Sequence, residues 1–458
     1  MKRLMTALLL FCACAAAQAP PVVAIRSARI VPVSGPVIDK GTVLVRKGLI
    51  EAVGANVAIP ADAWIVEGDG LTVYPGLIDP LSTVGMPSVA GNSAATAVAG
   101  RGTPAVAATA APASPSRGPE DRPATTSWIK AADELQPSDR RIETARSAGF
   151  TTAVAFPTRG IFAGQGSVIN LASDERPGDM VVAPAVGQYI ALSRGGGGGG
   201  FAAGFPNALM GYIAYLRQIY LDADHYKLVK DTYAQNPVGM TRPEYDRALE
   251  GVLDSPRILL PANRLVEIDR MLHLAADLKQ PVIIYGGRET FRPEAAALLK
   301  KFNAPVLLSM RWPEAPRDGD PDEIDSMRTL ETRDKAAQAP SILAKAGVKF
   351  ALYSDGLDAA RELQRAVKKA LDNGLSREDA LRALTLSAAE IYGVSNRLGS
   401  IEKGKIANLV VTRGDIFDDR TKVEMTLVDG RKYVPPAEAP SFGTRGATND
   451  PGLKGGVK

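Results

Sequence analysis

Histidine and cysteine are almost missing from these 458 residues, which hold two of each. Two imidazoles exclude any centre that needs three or more of them. The cysteines, Cys12 and Cys14, both fall in the first apolar stretch. The rest of the chain therefore has no thiol to form a disulfide, ligate a metal or act as a nucleophile. An imbalance of charge is lacking too: 54 Lys and Arg stand against 50 Asp and Glu, a formal net charge of +4 with no block of one sign. That balance implies neither nucleic acid nor an anionic membrane surface as a partner. Beyond residue 19 no apolar run is long enough to span a bilayer, so no transmembrane segment is expected.

What is present begins with Met1-Lys2-Arg3 and the apolar run Leu4 to Ala17, the pattern of a secretory signal peptide over residues 1–19. The small residues Ala15, Ala16 and Ala17 favour cleavage after Ala17; a lipid anchor on Cys12 or Cys14 is the rival reading, with Phe11 making a poor lipobox. A periplasmic or secreted location is expected. With 45% apolar and 23% charged residues, the remainder is of ordinary globular composition and long enough for a barrel-sized domain plus a smaller one.

Short β-branched runs separated by turns fill residues 20–73 (Ala28 to Val33, Gly41 to Gly48, Leu49 to Gly54), and similar runs fill 399–434. These two stretches are expected to form one composite β-sandwich. Residues 87–126 are dominated by Ala, Pro, Gly, Ser and Thr and are expected as a flexible insertion; 435–458 are expected as a disordered tail. Between them, over 74–398, strands alternate with helices. A helix is expected to open at Ser127, and Asp139 caps one from Arg140; Phe150 to Phe156 is a strand, as are Val181 to Val186, Pro281 to Tyr285, Pro305 to Ser309 and Lys349 to Tyr353. The repetition predicts an α/β fold, a (β/α)₈ barrel of TIM type with the small sandwich beside it.

Two motifs carry a resemblance to a known family. Pro75-Gly-Leu-Ile-Asp79, at the end of one strand and the start of the next, and Gly399-Ser-Ile-Glu-Lys-Gly-Lys-Ile-Ala-Asn-Leu-Val-Val411 both resemble segments of the amidohydrolase superfamily, in an imidazolonepropionase-like periplasmic subgroup. Asn408 stands where the second motif usually has Asp. The resemblance implies the barrel and sandwich, and an activity on C–N bonds other than peptide bonds. It also implies zinc or another divalent ion held by His-x-His, a carboxylated Lys or a Glu, and two more His, with a final Asp taking a proton from the metal-bound water.

The chain departs from that pattern at almost every position. Leu81 and Thr83 stand where His-x-His is implied; neither replaces an imidazole as a ligand. Gln188 and Tyr189 end the fourth strand; Tyr285 and Met310 stand where the two further His are implied. His225 and His273 lie in helical segments without ligand spacing, so no metal ligand is assigned and no cofactor is expected. Asp355, in Phe350-Ala-Leu-Tyr-Ser-Asp-Gly356, alone matches its catalytic counterpart and is either a retained base or a carboxylate kept for the fold. Gln165, in a glycine-rich segment similar to one of the subgroup, and Tyr285, Arg288 and Arg311 are the candidate ligand-binding residues, with Tyr189, Arg194 and Trp312 beside them. The glycine run 195–200 lacks the Lys-Ser/Thr of a phosphate loop and is left as a lid or a linker. Two functions follow. One is a non-catalytic homologue binding a small molecule or a partner, such as an active amidohydrolase relative or a second copy. The other is a C–N hydrolase with a site rebuilt around Asp355.

Overall fold

The computed structural model describes residues 22–87, 122–172, 176–192, 205–206, 208–315, 324–357, 360–418 and 420–436. The expected signal peptide, most of the expected insertion at 87–126, Arg194, the glycine run and nearly all of the expected tail lie outside the described residues.

Among the described residues, sixteen strands and ten α-helices follow in order. Five strands open the chain: β1 (Val22–Ile30), β2 (Ile38–Arg46), β3 (Leu49–Gly54), β4 (Trp64–Glu67) and β5 (Thr72–Pro75). Then come β6 (Leu77–Ser82), α1 (Arg140–Ser147), β7 (Phe150–Ala155), β8 (Phe162–Asn170), β9 (Val181–Ile190), α2 (Leu209–Gln235), α3 (Arg247–Leu253), β10 (Ile258–Ala262) and α4 (Leu265–Asp277). Next are β11 (Val282–Gly286), α5 (Pro293–Lys301), β12 (Val306–Ser309), α6 (Met327–Lys335), α7 (Ala339–Ala346), β13 (Phe350–Tyr353), α8 (Ala360–Asp372), α9 (Arg377–Ala383) and α10 (Leu386–Ile391). The chain returns through β14 (Leu409–Thr412), β15 (Val423–Val428) and β16 (Arg431–Tyr433).

Two eight-stranded sheets result. One joins β1–β5 to β14–β16, with β5 paired antiparallel to β14 and parallel to β1. Its inner face buries Val23, Ile25, Ile30, Val43, Val73, Leu409, Val411 and Leu427. The other runs β6 to β13 in sequence order, and Asp79 on β6 accepts from the Ser354 main-chain N–H (3.1 Å) and hydroxyl (2.6 Å) just past β13, drawing the first strand against the last. This is the expected barrel with one strand reversed. β8 pairs antiparallel with both β7 and β9, whereas the other neighbours are parallel. The reason is length: the few residues between Ala155 and Phe162 cannot hold the crossover helix that a parallel return needs. No α-helix opens at Ser127; Ala131–Asp133 form a single 3₁₀ turn there. Asp139 does cap α1, its side chain accepting from the Arg141 N–H.

The barrel lumen is filled by Ile78, Val154, Val168, Val186, Leu259, Ile283, Leu307 and Ala351. Tyr392 seals it with α10, donating to the Pro80 carbonyl (2.6 Å). The helices pack on the outer face over a larger cluster that includes Ile142, Phe162, Leu260, Ile284 and Leu308. Strand alternation thus separates two kinds of position: residues that look into the lumen and residues that look toward the helices.

Candidate functional site

At the C-terminal ends of the parallel strands, where barrel proteins place their chemistry, the lumen side chains are aromatic. Tyr189 from β9 stacks on Tyr285 from β11, ring centroids 5.2 Å apart at 27°, and Phe156 lies 5.7 Å from Tyr189 on the other side. The Tyr285 hydroxyl donates to the Ile190 carbonyl at 3.1 Å. Burial pushes the phenols of Tyr189, Tyr285 and Tyr353 up from their ordinary value, so all three stay neutral across the physiological range. Their hydroxyls are hydrogen-bonding groups here and not phenolate ligands or bases.

Asp355 closes the other side of the mouth. Its backbone takes a positive φ of 52°, uncommon for a residue with a side chain. Three contacts hold it there. The Ser309 hydroxyl donates to Asp355 Oδ2 at 2.6 Å, the Arg311 N–H donates back to Ser309 Oγ at 3.0 Å, and Arg311 Nε donates to the Asp355 carbonyl at 3.0 Å. Arg311 therefore braces the turn after β13 while its guanidinium remains exposed. Arg288, just beyond β11, is exposed and makes no ion pair or hydrogen bond among the described residues. Tyr285, Arg288, Arg311 and Asp355 thus sit on neighbouring strand ends, together with Ser309 and Tyr353.

Three sequence expectations change. Gln165 faces away from this group. It lies directly opposite Gln188 across the β8–β9 ladder, so both look to the side opposite Tyr189. The Gln165 side chain is 1% exposed and donates to the Gly251 carbonyl of α3 at 3.0 Å, which places it in the layer between barrel and helix. Met310 is also on the helix side, buried in the outer cluster; the β12 residue that meets Asp355 is Ser309, one position earlier. Trp312 turns outward as well, its indole N–H donating to the Ala366 carbonyl of α8 at 2.8 Å. Alternation could have flagged Ser309 in the sequence, had the strand's inward set been fixed from Leu307.

These residues do not fit the divalent metal that the fold family implies. Leu81 packs into the lumen, and Thr83 is exposed, bonded through Oγ1 and its carbonyl to the Arg141 guanidinium (3.0 and 2.8 Å). His225 is exposed on α2. His273, also exposed, bonds the Asp269 carbonyl of its own helix (2.9 Å) and meets the Phe302 ring edge-on. Among the described residues no three His, Cys, Asp or Glu side chains converge to hold a metal ion. The mouth offers one carboxylate, Asp355, beside neutral phenols, which is too few donors for a divalent site.

Sequence reading missed Asp79 as anything but a motif residue. It is 5% exposed, and burial raises its carboxyl to about 6 despite the hydrogen bonds from Ser354. Facing the helices rather than the lumen, it serves the barrel seam and not the mouth.

Comparison with known proteins adds four matches. The amidohydrolase family profile matches residues 313–432. An adenine deaminase of Moorella thermoacetica is 30% identical over 79 residues, a match covering 17% of this chain and 13% of that enzyme's length. In three dimensions the chain superposes on an amidohydrolase from Thermotoga maritima with a TM-score of 0.70 and 26% identity, covering 90% of this chain and all of that one. A molinate hydrolase aligns at a TM-score of 0.51 and 14% identity over 91% of this chain and 95% of its own, which is a likeness of fold.

Proposed function

We propose, from the premise that this chain belongs to the amidohydrolase superfamily, that it is a member whose metal site has been replaced by a ligand pocket. The single observation that carries the reading is the stacked Tyr189–Tyr285 pair at strand ends where the family's metal ligands are implied, with Leu81 filling the position on β6. Tyr189 and Tyr285 supply ring faces and two neutral hydroxyls; Asp355 and Ser309 supply an acceptor and a hydroxyl; Arg288 supplies a cation at the rim that makes no ion pair among the described residues. Such a set binds a small, partly unsaturated or aromatic molecule that bears an anionic group. On the expectation of a signal peptide, the protein does this in the periplasm or outside the cell.

Metal analysis of protein purified without chelators tests the reading: far less than one zinc, iron or manganese per chain is expected. A stoichiometric metal retained through dialysis would overturn it. Binding is tested by a thermal-shift screen of aromatic carboxylates, in which Tyr285→Ala should remove any shift seen with the wild type.

The second reading, a C–N hydrolase rebuilt around Asp355, is favoured by one feature, the positive φ at which Ser309 and Arg311 hold that residue. Asp355→Asn is isosteric and keeps an acceptor for Ser309. If Asp355 is a base, turnover of cyclic amides should fall by about 10²-fold or more with the melting temperature little changed. Equal rates for both proteins would exclude it.

A further inference from the structure

The large apolar side chains left in water gather along one stretch of the chain. Of sixteen such exposed side chains among the described residues, seven lie between Leu209 and Tyr245, on α2 and the segment after it. α2 is 27 residues long, about 40 Å at the usual rise. It buries Tyr212, Tyr215, Leu216, Ile219, Tyr220 and Ala223 in the outer cluster, and from Asp224 onward none of its side chains is fully buried. On the opposite side Met210, Ala214, Arg217, Leu221, Asp224 and Leu228 are all exposed, spaced by four and three residues in turn. That is the period of a seam between two helices, placed where this chain offers no second helix. Met210 is 85% exposed, and Leu221 and Leu228 are 63% exposed each. On the flank toward α3, Tyr226 and Lys230 are already engaged by Glu250.

The seam is complementary to itself. In a second α2 laid antiparallel about a two-fold axis at Leu221, that residue meets its own copy, Leu228 lies over the small Ala214, and Arg217 comes beside Asp224. The last two pairings each occur twice, and the helix dipoles oppose one another. A parallel copy would set Arg217 on Arg217 and Asp224 on Asp224. Asp224 makes no ion pair among the described residues. Arg217 holds Asp277 through one Nη (2.7 Å) as an exposed pair, and its guanidinium keeps donors for a second carboxylate. We propose that α2 forms the contact of a two-fold homodimer, this face covering the same face of a second copy of the chain. Carboxylates of Asp222 and Asp224 beside the apolar line disfavour an anionic bilayer as its cover.

Sedimentation velocity of the full chain from about 1 to about 100 μM should show a monomer–dimer equilibrium. Leu221→Glu brings two carboxylates together on the axis and should weaken dimerisation about tenfold or more, with the far-ultraviolet circular dichroism unchanged because the residue is exposed. Asp224→Arg alone should weaken it, and Asp224→Arg with Arg217→Asp, which exchanges the two charges, should restore it. In a Cys12→Ser, Cys14→Ser background, Leu221→Cys should give a disulfide-linked dimer under mild oxidant and Met210→Cys should not, because only the first meets itself. A monomer at every concentration, or a dimer that Leu221→Glu leaves intact, overturns the proposal. A monomer whose Leu221→Cys thiol resists maleimide also overturns it, and assigns the face to another segment of this chain.

Discussion

Replacing Asp79 by Ala is expected to lower the unfolding free energy by on the order of 3 kcal/mol at about pH 5, read from urea melts. Asp79 is the acceptor for the Ser354 N–H and hydroxyl and is also hydrogen-bonded by Ser82 and the Leu81 backbone. Removing it strands buried donors on both sides of the seam where β6 meets β13, each costing about 1–3 kcal/mol. The pH dependence gives a sharper test. Burial raises the folded carboxyl to about 6, above its ordinary value in the unfolded chain. The unfolded chain therefore releases this proton first. The stability that the protonated group contributes is whole below about pH 4 and is lost as pH climbs through about 6. Asp79→Asn does not titrate and still accepts from Ser354. Relative to the wild type it should gain on the order of 2–3 kcal/mol between those limits. A difference between the two proteins that stays flat with pH would mean that Asp79 remains ionised in the fold.

The second large effect is expected at Asn408, the residue that differs from the usual Asp of the resembling motif. Its side chain is 6% exposed and joins the two sheets. Nδ2 donates to Thr152 Oγ1 on β7 (2.9 Å) and Asn170 Oδ1 on β8 (2.7 Å), while Oδ1 accepts from the Asp429 N–H (2.8 Å). Its own carbonyl accepts from Gly76, between β5 and β6 (2.8 Å). Asn408→Leu fills nearly the same space and leaves the Asp429 N–H and Asn170 Oδ1 without partners, at a cost of about 2–4 kcal/mol. Asn408→Asp keeps the acceptor but loses the donor, so it is tolerated only if the Asn170 amide and the Thr152 hydroxyl turn to donate; about 1–2 kcal/mol is expected. A crystal structure or an unfolding curve of the Asp variant decides between them, and a loss equal to that of Leu would show that Asn170 cannot turn. The residue that departs from the motif is thus matched to its own neighbours.

How far the sequence led differs between fold and mouth. The strands at Phe150, Val181 and Val306 and the helices at Arg140, Leu265 and Pro293 are legible because local signals mark them: Asp139 as a cap, Pro293 at a helix start, runs of β-branched residues between turns. β8 was hidden by its glycines, which weaken a strand pattern, and its reversed direction by a connection whose length alone decides it. At the mouth, the strand ends that carry Tyr285, Arg288, Arg311 and Asp355 were legible because β11, β12 and β13 are recognisable strands. Gln165, Met310 and Trp312 were misplaced because a side chain's face depends on pairing register, and a shift of one residue reverses it.

By itself, then, the sequence determined composition-level limits, the alternation of elements and the near absence of imidazole and thiol, all of which are properties of residue type and local spacing. Only the tertiary structure decided that Tyr189 stacks on Tyr285, that Ser309 and not Met310 meets Asp355, and that Asp79 holds the barrel seam. Each of these joins residues far apart in the chain, and register and closure, which no local pattern encodes, set which side chains meet.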